Sequence, residues 1–413
     1  MSGQRRDVIV VGAGPAGLAA AIRLRELGIE DVLVIEREKR AGGILRQCIH
    51  DGFGLTRFGE TLSGPEYAQR FLDLAEQMNI PVLENTAVLD ITREKEVTAV
   101  SRTHGWMRFQ AGAVVLAMGC RERTRGAIQI PGSRPAGVMT AGVAQSYINL
   151  HNIKVGDNAV ILGSGDIGLI MARRLTLEGV RVQAVLEVLP YASGLPRNIQ
   201  QCLDDYGIPL HLSHTVVDIR GTGRLESVVA ARVDERRLPV AGSEREFFCD
   251  TLILSVGLIP ENELSLGAGV ILDPRTRGAV VDENFQTGVP GIFSAGNVLH
   301  VHDLVDFVSL EAEALAESVA EHVRSGRLRP CPVVVEAGPD IGYVLPQRVS
   351  GGKDFTLSLR VRSPRKECTV ALRQNGRTIL EKRLHKAIPA EMIRIPVKAG
   401  TLRGDAKLEV ALS

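Results

Sequence analysis

Two glycine-rich turns hold the residues of this chain best suited to chemistry, because each is built to grip a molecule that performs it. The first is Gly12-Ala13-Gly14-Pro15-Ala16-Gly17, entered from the apolar run Val8 to Val11. An amphipathic stretch through Leu27 follows, then Gly28, then a second apolar run from Val32 to Ile35 that ends at Glu36. Strand, glycine turn, helix and strand in this order make a phosphate cradle. One glycine allows the tight turn, one lets backbone approach a pyrophosphate, and one lets helix and strand pack closely. The helix N-terminus offers unpaired N–H groups to the phosphates, and Glu36 can accept hydrogen bonds from a ribose diol.

A single turn of this kind is weak evidence, since the pattern arises by chance. Here it recurs. Val160-Ile161-Leu162 leads into Gly163-Ser164-Gly165-Asp166-Ile167-Gly168, with Gly179 and Glu187 downstream. Gly12, Gly14, Gly17, Gly28 and Glu36 map onto Gly163, Gly165, Gly168, Gly179 and Glu187 with one constant offset and no gap. Two cradles imply two dinucleotides. The pairing with a chemical rationale is FAD on one and a nicotinamide dinucleotide on the other, because flavin accepts the hydride that nicotinamide donates. An acid at the end of the second strand disfavours a 2′-phosphate, so Glu187 points to NAD(H). Arg197 lies near enough in sequence to keep NADP(H) open.

The elements around these turns are those of a globular protein. The chain has 413 residues, 45% of them hydrophobic and 23% charged, which suggests more than one domain and ample core. Its 43 glycines are an excess consistent with many tight turns and close approaches to ligands. A net charge of +1 gives no whole-chain argument for nucleic acid or an anionic membrane surface. No apolar run is long enough to span a bilayer, and Val8 to Val11 is too short for a signal segment. Six cysteines are scattered without a C-x-x-C pair, which argues against a zinc site, a dithiol or a disulfide framework. The expected location is cytoplasmic.

Three further segments narrow the reading. Ala113-Val114-Val115-Leu116-Ala117-Met118-Gly119 resembles the strand that ends the first FAD segment of the two-dinucleotide flavoprotein disulfide reductase superfamily. Thr251 to Pro260, including Gly257, resembles that superfamily's strand leaving the NAD domain, and Gly291-Ile292-Phe293-Ser294-Ala295-Gly296-Asn297 resembles its terminal flavin motif. That motif usually ends Gly-Asp, so Asn297 keeps the hydrogen bonding and loses the charge. The resemblance implies an α/β fold with two Rossmann-like dinucleotide-binding domains, and the alternating pattern after them reads as a C-terminal all-β module. The FAD domain would be discontinuous, with residues 1–118 and 252–328 flanking an NAD(P) domain at 119–251, and the β module would cover 329–413. It further implies FAD contacts from Gly12, Gly14, Pro15, Ala16, Gly17, Glu36, Gly43, Ile44, Val88, Ala117, Gly119, Gly296, Asn297 and Val308. On the nicotinamide side it implies Gly163, Gly165, Asp166, Ile167, Gly168, Glu187 and Gly257.

Gly42 to Gly54, Met171 to Leu175 and Gly296 to Asp303 are similar to one subgroup, the FAD/NAD(P) oxidoreductases associated with multi-component glycerol-3-phosphate dehydrogenases. Wider relatives are subunits of opine, proline and cyanide-forming dehydrogenases. The resemblance implies a second flavoprotein that oxidises substrate while this chain passes electrons onward. A homo-oligomer is also open, as is peripheral membrane attachment through the partner.

Cys48 and His50 are the candidate catalytic residues. Cys48 lies in the loop expected to reach the isoalloxazine, where single-cysteine members of the superfamily carry a reactive thiol. It is either a small packing residue or the nucleophile of a stand-alone disulfide or persulfide reductase, the alternative function. His300-Val301-His302-Asp303 invites a metal assignment, but no further ligands are evident in sequence, so no metal is expected. The basic crossover Arg121 to Gly126 reads as a solvated hinge, with one arginine available to a phosphate. A helix from about Asp306 through Val323 would aim its N-terminus at the flavin. After Arg329 the pattern alternates, and Asn375-Gly376 marks a hairpin within a sandwich-like module. That module has no cofactor motif. A docking role and a stabilising appendage are both open for it, and the third reading of the chain is a non-catalytic protein whose redox state sets partner binding through this module.

Overall fold

The first apolar run forms strand β1 (Gln4–Val11), paired in parallel with β2 (Val32–Ile35) on one side and with the strand Gly105–Leu116 on the other. Val8 and Val10 enter one hydrophobic core, while Ile9 and Val11 enter a second core on the opposite face. A strand covered on both faces has no reason to alternate, which is why its sequence reads as an unbroken apolar run. Helices α1 (Pro15–Glu26) and α2 (Gly64–Gln77) cover the first face together with the long helix Val305–Ser325. Helix α2 starts at a reciprocal cap: the Ser63 N–H donates to Glu66 Oε2 at 2.7 Å, and the Glu66 N–H donates to Ser63 Oγ at 3.4 Å.

The structure is a computed structural model and describes residues 4–413. The chain divides into two compact units, Met1–Cys120 with Pro260–Ser413, and Arg121–Ile259. The second unit repeats the parallel theme. Its five-stranded sheet runs in the order Leu210–Leu212, Arg181–Glu187, Asn158–Leu162, Thr251–Leu254 and Val138–Thr140, with every pairing parallel. The helix Asp166–Leu177 packs into the core of this unit, which also holds a three-stranded antiparallel sheet. The border expected between 251 and 252 falls inside this fold instead. Thr251–Leu254 is hydrogen-bonded on both sides within the second unit's sheet, so the chain cannot leave that unit until about residue 260.

The C-terminal region forms two antiparallel-rich sheets, of five and three strands, around its own core. Strand Phe355–Val361 buries alternate residues, matching its alternating sequence. Asn375 and Gly376 have φ of 52° and 72°, the left-handed pair that closes the two-residue hairpin between Arg365–Gln374 and Arg377–Ala387. This module is part of the first unit and is fastened to it by buried hydrogen bonds. Gln347 Oε1 accepts from the Val281 N–H at 2.9 Å, and Glu283 accepts from the Ser350 N–H at 2.8 Å. Among the described residues no helix is long and apolar enough to cross a membrane.

Close backbone approaches mark the first glycine turn. A Cβ on Gly17 would stand 1.8 Å from the Gly12 carbonyl oxygen, which belongs to backbone and cannot step aside. Gly17→Ala should therefore cost about 3 kcal/mol or more. Gly28→Ala, at φ +82° but with only an arginine tip nearby, should cost about 1–2 kcal/mol. Urea unfolding of the two variants checks the order, and equal losses would mean the turn tolerates relaxation.

Candidate functional site

The first cradle is assembled from four chain segments that are far apart in sequence. Gly12, at φ +103°, brings its Cα against the end of the neighbouring strand, where an added Cβ would lie 2.4 Å from the Ala117 oxygen. Gly43, at φ +61°, faces Gly14 so closely that its Cβ would meet the Gly14 Cα at 2.9 Å. Gly296, at φ +74°, sits against Ala16 and Val308, at 2.8 and 3.3 Å from its own would-be Cβ. Gly14 itself is the N-cap of α1, and a Cβ there would find open space apart from one atom at 3.9 Å. Helix α1 thus opens into a concavity bounded by backbone, with its first-turn N–H groups exposed to an anion.

Glu36 closes the cradle at the end of β2. It is only 6% exposed, and its Oε2 accepts from the Ala13 N–H at 2.7 Å while its Oε1 accepts from the Glu38 N–H at 2.8 Å. Each oxygen keeps a further acceptor position for ribose hydroxyls. The donor set and the shape fit a dinucleotide, and FAD at this cradle would be held by Glu36 and the α1 amides.

The second cradle repeats these contacts at the same offset. The Gly12 N–H donates to the Ile35 carbonyl at 2.8 Å, and the Gly163 N–H donates to the Leu186 carbonyl at 2.7 Å. The Ser164 N–H donates to Glu187 Oε2 at 3.1 Å and the Leu189 N–H to its Oε1 at 3.0 Å, the counterparts of the two Glu36 bonds. Gly163 has φ +104°, with its would-be Cβ 2.0 Å from the Ser255 oxygen, and a Cβ on Gly168 would lie 2.5 Å from the Gly163 oxygen. One difference bears on ligand choice. Glu187 Oε2 also accepts from the hydroxyls of Ser164 and Ser193, so its capacity is largely taken by its own chain. Asp166, expected at the ligand, turns to the same side: its Oδ1 accepts from the Leu195 N–H at 2.8 Å and Asn198 Nδ2 at 2.7 Å. The loop following Glu187 is thereby drawn over the turn, and a ribose at Glu187 would exchange with Ser193. Ile167 packs into the unit's core, and Gly257 adopts φ +101°. Arg197 is exposed on the helix Pro196–Cys202.

Other expected residues divide. Ala117 contributes its carbonyl, and Gly119, at φ +72°, borders open space. Ile44 is exposed beside Gly43. Val88 packs its side chain against the core on the far face of the sheet, not the one beneath the cradle, because its strand Thr86–Ile91 belongs to the antiparallel extension. The long helix begins at Val305, one residue before the expected Asp306, and Val308 supplies a methyl against Gly296. Asn297 has its side chain engaged at both ends, Oδ1 accepting from the His302 N–H at 3.1 Å and Nδ2 lying 3.8 Å from Cys120 Sγ.

The loop carrying Cys48 is anchored by a residue that the sequence motifs do not single out. Asp306, buried in the first turn of the long helix, accepts from the Gly54 N–H at 3.0 Å and the Thr56 N–H at 2.9 Å. An acid at that position is favoured by the helix dipole, so the same carboxylate stabilises the helix start and fixes the loop. Cys48 Sγ donates to the Ile44 carbonyl at 3.4 Å, and burial pushes its thiol up to about 12. His50 bonds to the Asp51 carbonyl at 2.9 Å and stacks near Phe53, away from any proton-relay geometry with Cys48 that the structure shows. In the crossover, Arg125 donates to the carbonyls of Ile130, Pro131, Gly132 and Ser133, making it a clamp on a turn and not a phosphate ligand.

His300 and His302 meet a third side chain, Glu311, from the second turn of the long helix. His300 Nε2 lies 2.7 Å from Glu311 Oε2, and Glu311 Oε1 accepts from the Gly296 N–H at 3.0 Å. Burial alone would raise the Glu311 carboxyl, but the two histidines hold it below the usual carboxylate range. Burial lowers His300, with His302 adding to the effect and Glu311 opposing it. Glu311 follows His302 by nine residues and lies on another element, so spacing could not reveal it.

Two measurements test these assignments. Gly14→Ala should leave the apoprotein within about 1 kcal/mol of wild type in urea, as for an N-cap glycine replaced by alanine. It should lose bound flavin on gel filtration, since the methyl enters the open part of the cradle; retained flavin would place the ligand elsewhere. A thiol raised to about 12 is protonated at pH 8, with roughly one thiolate in ten thousand. Iodoacetamide labelling of Cys48, read by peptide mass spectrometry, should run at least about 100-fold slower than for free cysteine and rise with each unit of pH toward 12. Rapid labelling at pH 7 would reverse the assignment.

Residues 6–321 match the protein family described as pyridine nucleotide-disulphide oxidoreductase. An opine oxidase subunit of Agrobacterium tumefaciens is 26% identical over 313 residues, which are 70% of this chain and 61% of that protein. Hydrogen cyanide synthase subunit HcnB of Pseudomonas aeruginosa is 29% identical over 279 residues, 63% of this chain and 59% of that protein. This chain therefore spans about six tenths of the length of these two relatives, both of them subunits of larger enzymes. The crystal structure of T. acidophilum thioredoxin reductase superposes with a TM-score of 0.65 at 23% identity, over 78% of this chain and 100% of that one, a likeness of fold. With two glycine cradles in register and a family match over most of its length, this chain belongs to the pyridine nucleotide-disulphide oxidoreductases, flavin oxidoreductases that generally bind FAD and NAD(P)H.

Proposed function

We propose that this chain moves hydride between a nicotinamide dinucleotide and FAD as the electron-transfer subunit of a multi-component dehydrogenase. The observation that carries the reading is the duplicated contact set, Ala13 with Glu36 and Ser164 with Glu187, each carboxylate gripping the backbone of its own glycine turn. Bound FAD supplies the two-electron acceptor for the nicotinamide hydride. The chain's own part is to bind and to orient. The α1 amides and Glu36 hold one dinucleotide. The open amides at Val305 oppose negative charge on the reduced ring, and Asp306 keeps the Cys48 loop in place beside it.

NAD(H) is the preferred partner in this reading, because Glu187 would repel a 2′-phosphate. Its carboxylate is already served by Ser164 and Ser193, so the preference rests on charge more than on a vacant ribose site. The partner is a second flavoprotein that oxidises the substrate. Support comes from the subunit relatives and, for glycerol 3-phosphate as the substrate to try first, from the resemblance of Gly42 to Gly54 and Gly296 to Asp303 to the corresponding subgroup. Burial that raises the Cys48 thiol weighs against a stand-alone reductase working through it.

Anaerobic mixing of the flavin-loaded chain with NADH should bleach the flavin absorbance, and NADPH should do so at least about 10-fold more slowly, a difference of roughly 1.4 kcal/mol. No bleaching with either nucleotide defeats the hydride reading. For the complex, chain co-purified with its native partner should show flavin reduction by glycerol 3-phosphate, whereas the isolated chain should not. Reduction of the isolated chain by that substrate would remove the need for a partner.

A further inference from the structure

His302 is an imidazole without a satisfactory partner. Its side chain is 4% exposed, its Nδ1 has no hydrogen-bond partner among the described residues, and its Nε2 stops 3.4 Å from Glu311 Oε2, an oxygen already taken by His300 Nε2 at 2.7 Å. Buried polar groups in native proteins are nearly always satisfied, so such a ring calls for an explanation. Glu311 poses the matching question. Its ion pairs among the described residues are with these two histidines, whereas the nearby Asp303 is served by Arg360 at 3.4 Å and by the Met392 N–H at 3.2 Å. A buried carboxylate without a cation is costly.

We propose that His300 Nε2, His302 Nε2 and Glu311 Oε2 ligate one divalent first-row transition metal ion behind the Gly296-Asn297 turn. One donor atom from each of the three side chains lies within 4.8 Å of the others. Around a tetrahedral ion with bonds of about 2.0–2.1 Å, ligand atoms stand about 3.3 Å apart, so the present spacings of 2.7 and 3.4 Å to Glu311 need only small side-chain rotations. Two imidazoles and one carboxylate suit Zn²⁺, Fe²⁺, Co²⁺ or Mn²⁺ and disfavour Mg²⁺ and Ca²⁺, which select all-oxygen sites.

The surroundings are those of a metal site. The Gly296 N–H holds Glu311 Oε1, and Tyr343 Oη lies 3.4 Å from His300 Nδ1, so two of the three ligands have an orienting partner on the side away from the ion, while His302 Nδ1 has none among the described residues. Tyr343 belongs to the C-terminal module and also accepts from Arg360 Nε at 3.2 Å. Arg360 in turn donates to the Val301 carbonyl at 3.1 Å, between the two histidines. The β module thereby clamps the ligand loop. An ion here would tie the long helix to the Gly296 turn and so stiffen one wall of the first cradle. It is a structural and positioning site, and no step of hydride transfer passes through it.

The test uses the flavin-loaded full chain, purified without chelator, reconstituted separately with Zn²⁺, Fe²⁺, Co²⁺ and Mn²⁺, desalted and measured by elemental mass spectrometry. At least one ion should be retained at about one equivalent. Less than a tenth of an equivalent of all four overturns the proposal. His302→Ala and Glu311→Gln should each lower retention at least tenfold, and retention unchanged in both overturns it by moving the ion elsewhere. Should either variant fail to fold, X-ray absorption of the metal-loaded wild type decides: two imidazole nitrogens in the first coordination sphere support the site, and their absence rejects it.

Discussion

A backbone cannot approach another backbone at carbon contact distance unless the intervening position lacks a side chain, and that constraint organises both halves of this protein. At Gly12 and Gly163 the chain leaves a buried strand, turns through φ near +100° and passes directly over the carbonyl of a neighbouring strand, Ala117 in one case and Ser255 in the other. At Gly17 and Gly168 the following helix lies against the carbonyl of the turn itself. The helix is thus pressed onto the sheet with its N-terminus at the strand ends, and an anion-binding concavity follows from the packing. The carboxylates of Glu36 and Glu187 then lock the turn by taking its N–H groups. In both cradles one carboxylate serves as a structural staple first and as a ligand contact second.

The two cradles differ in how much of that carboxylate is left. Glu36 keeps acceptor capacity on both oxygens, whereas Glu187 is encircled by Ser164, Ser193 and Leu189. The loop that encircles it is drawn down further by Asp166 through Leu195 and Asn198. A resident cofactor and an exchanging substrate make different demands. A permanent ligand benefits from a rigid open seat, while a ligand that comes and goes can displace a self-satisfied loop at little cost in exposed polar groups.

Long-range side-chain bonds complete the first unit. Asp306 and Glu311 lie on one helix, one anchoring the loop of Cys48 and the other gathering His300, His302 and the Gly296 turn. Arg360 and Tyr343 extend that network into the C-terminal sandwich. The module is therefore joined to the wall of the cradle, which explains why it partitions with the first unit although its core is separate.

Much was legible from sequence because it depends on local chemistry. The paired glycine turns, Glu36 and Glu187 at one offset, the unbroken apolar strands and the Asn375-Gly376 hairpin each follow from backbone freedom or burial pattern over a few residues. What stayed hidden depends on which distant segments meet. The face that takes the Val88 side chain was not readable, because register across the antiparallel extension decides where a strand residue points. The long helix starts at Val305, one residue before the expected Asp306, because a helix start is set by the cap the fold supplies. The border near 252 failed because strand pairing, not strand composition, assigns Thr251–Leu254 to a unit. Glu311 beside His300 and His302, and Asp306 beneath Gly54, are contacts between elements, and no spacing along the chain encodes a distance created by folding.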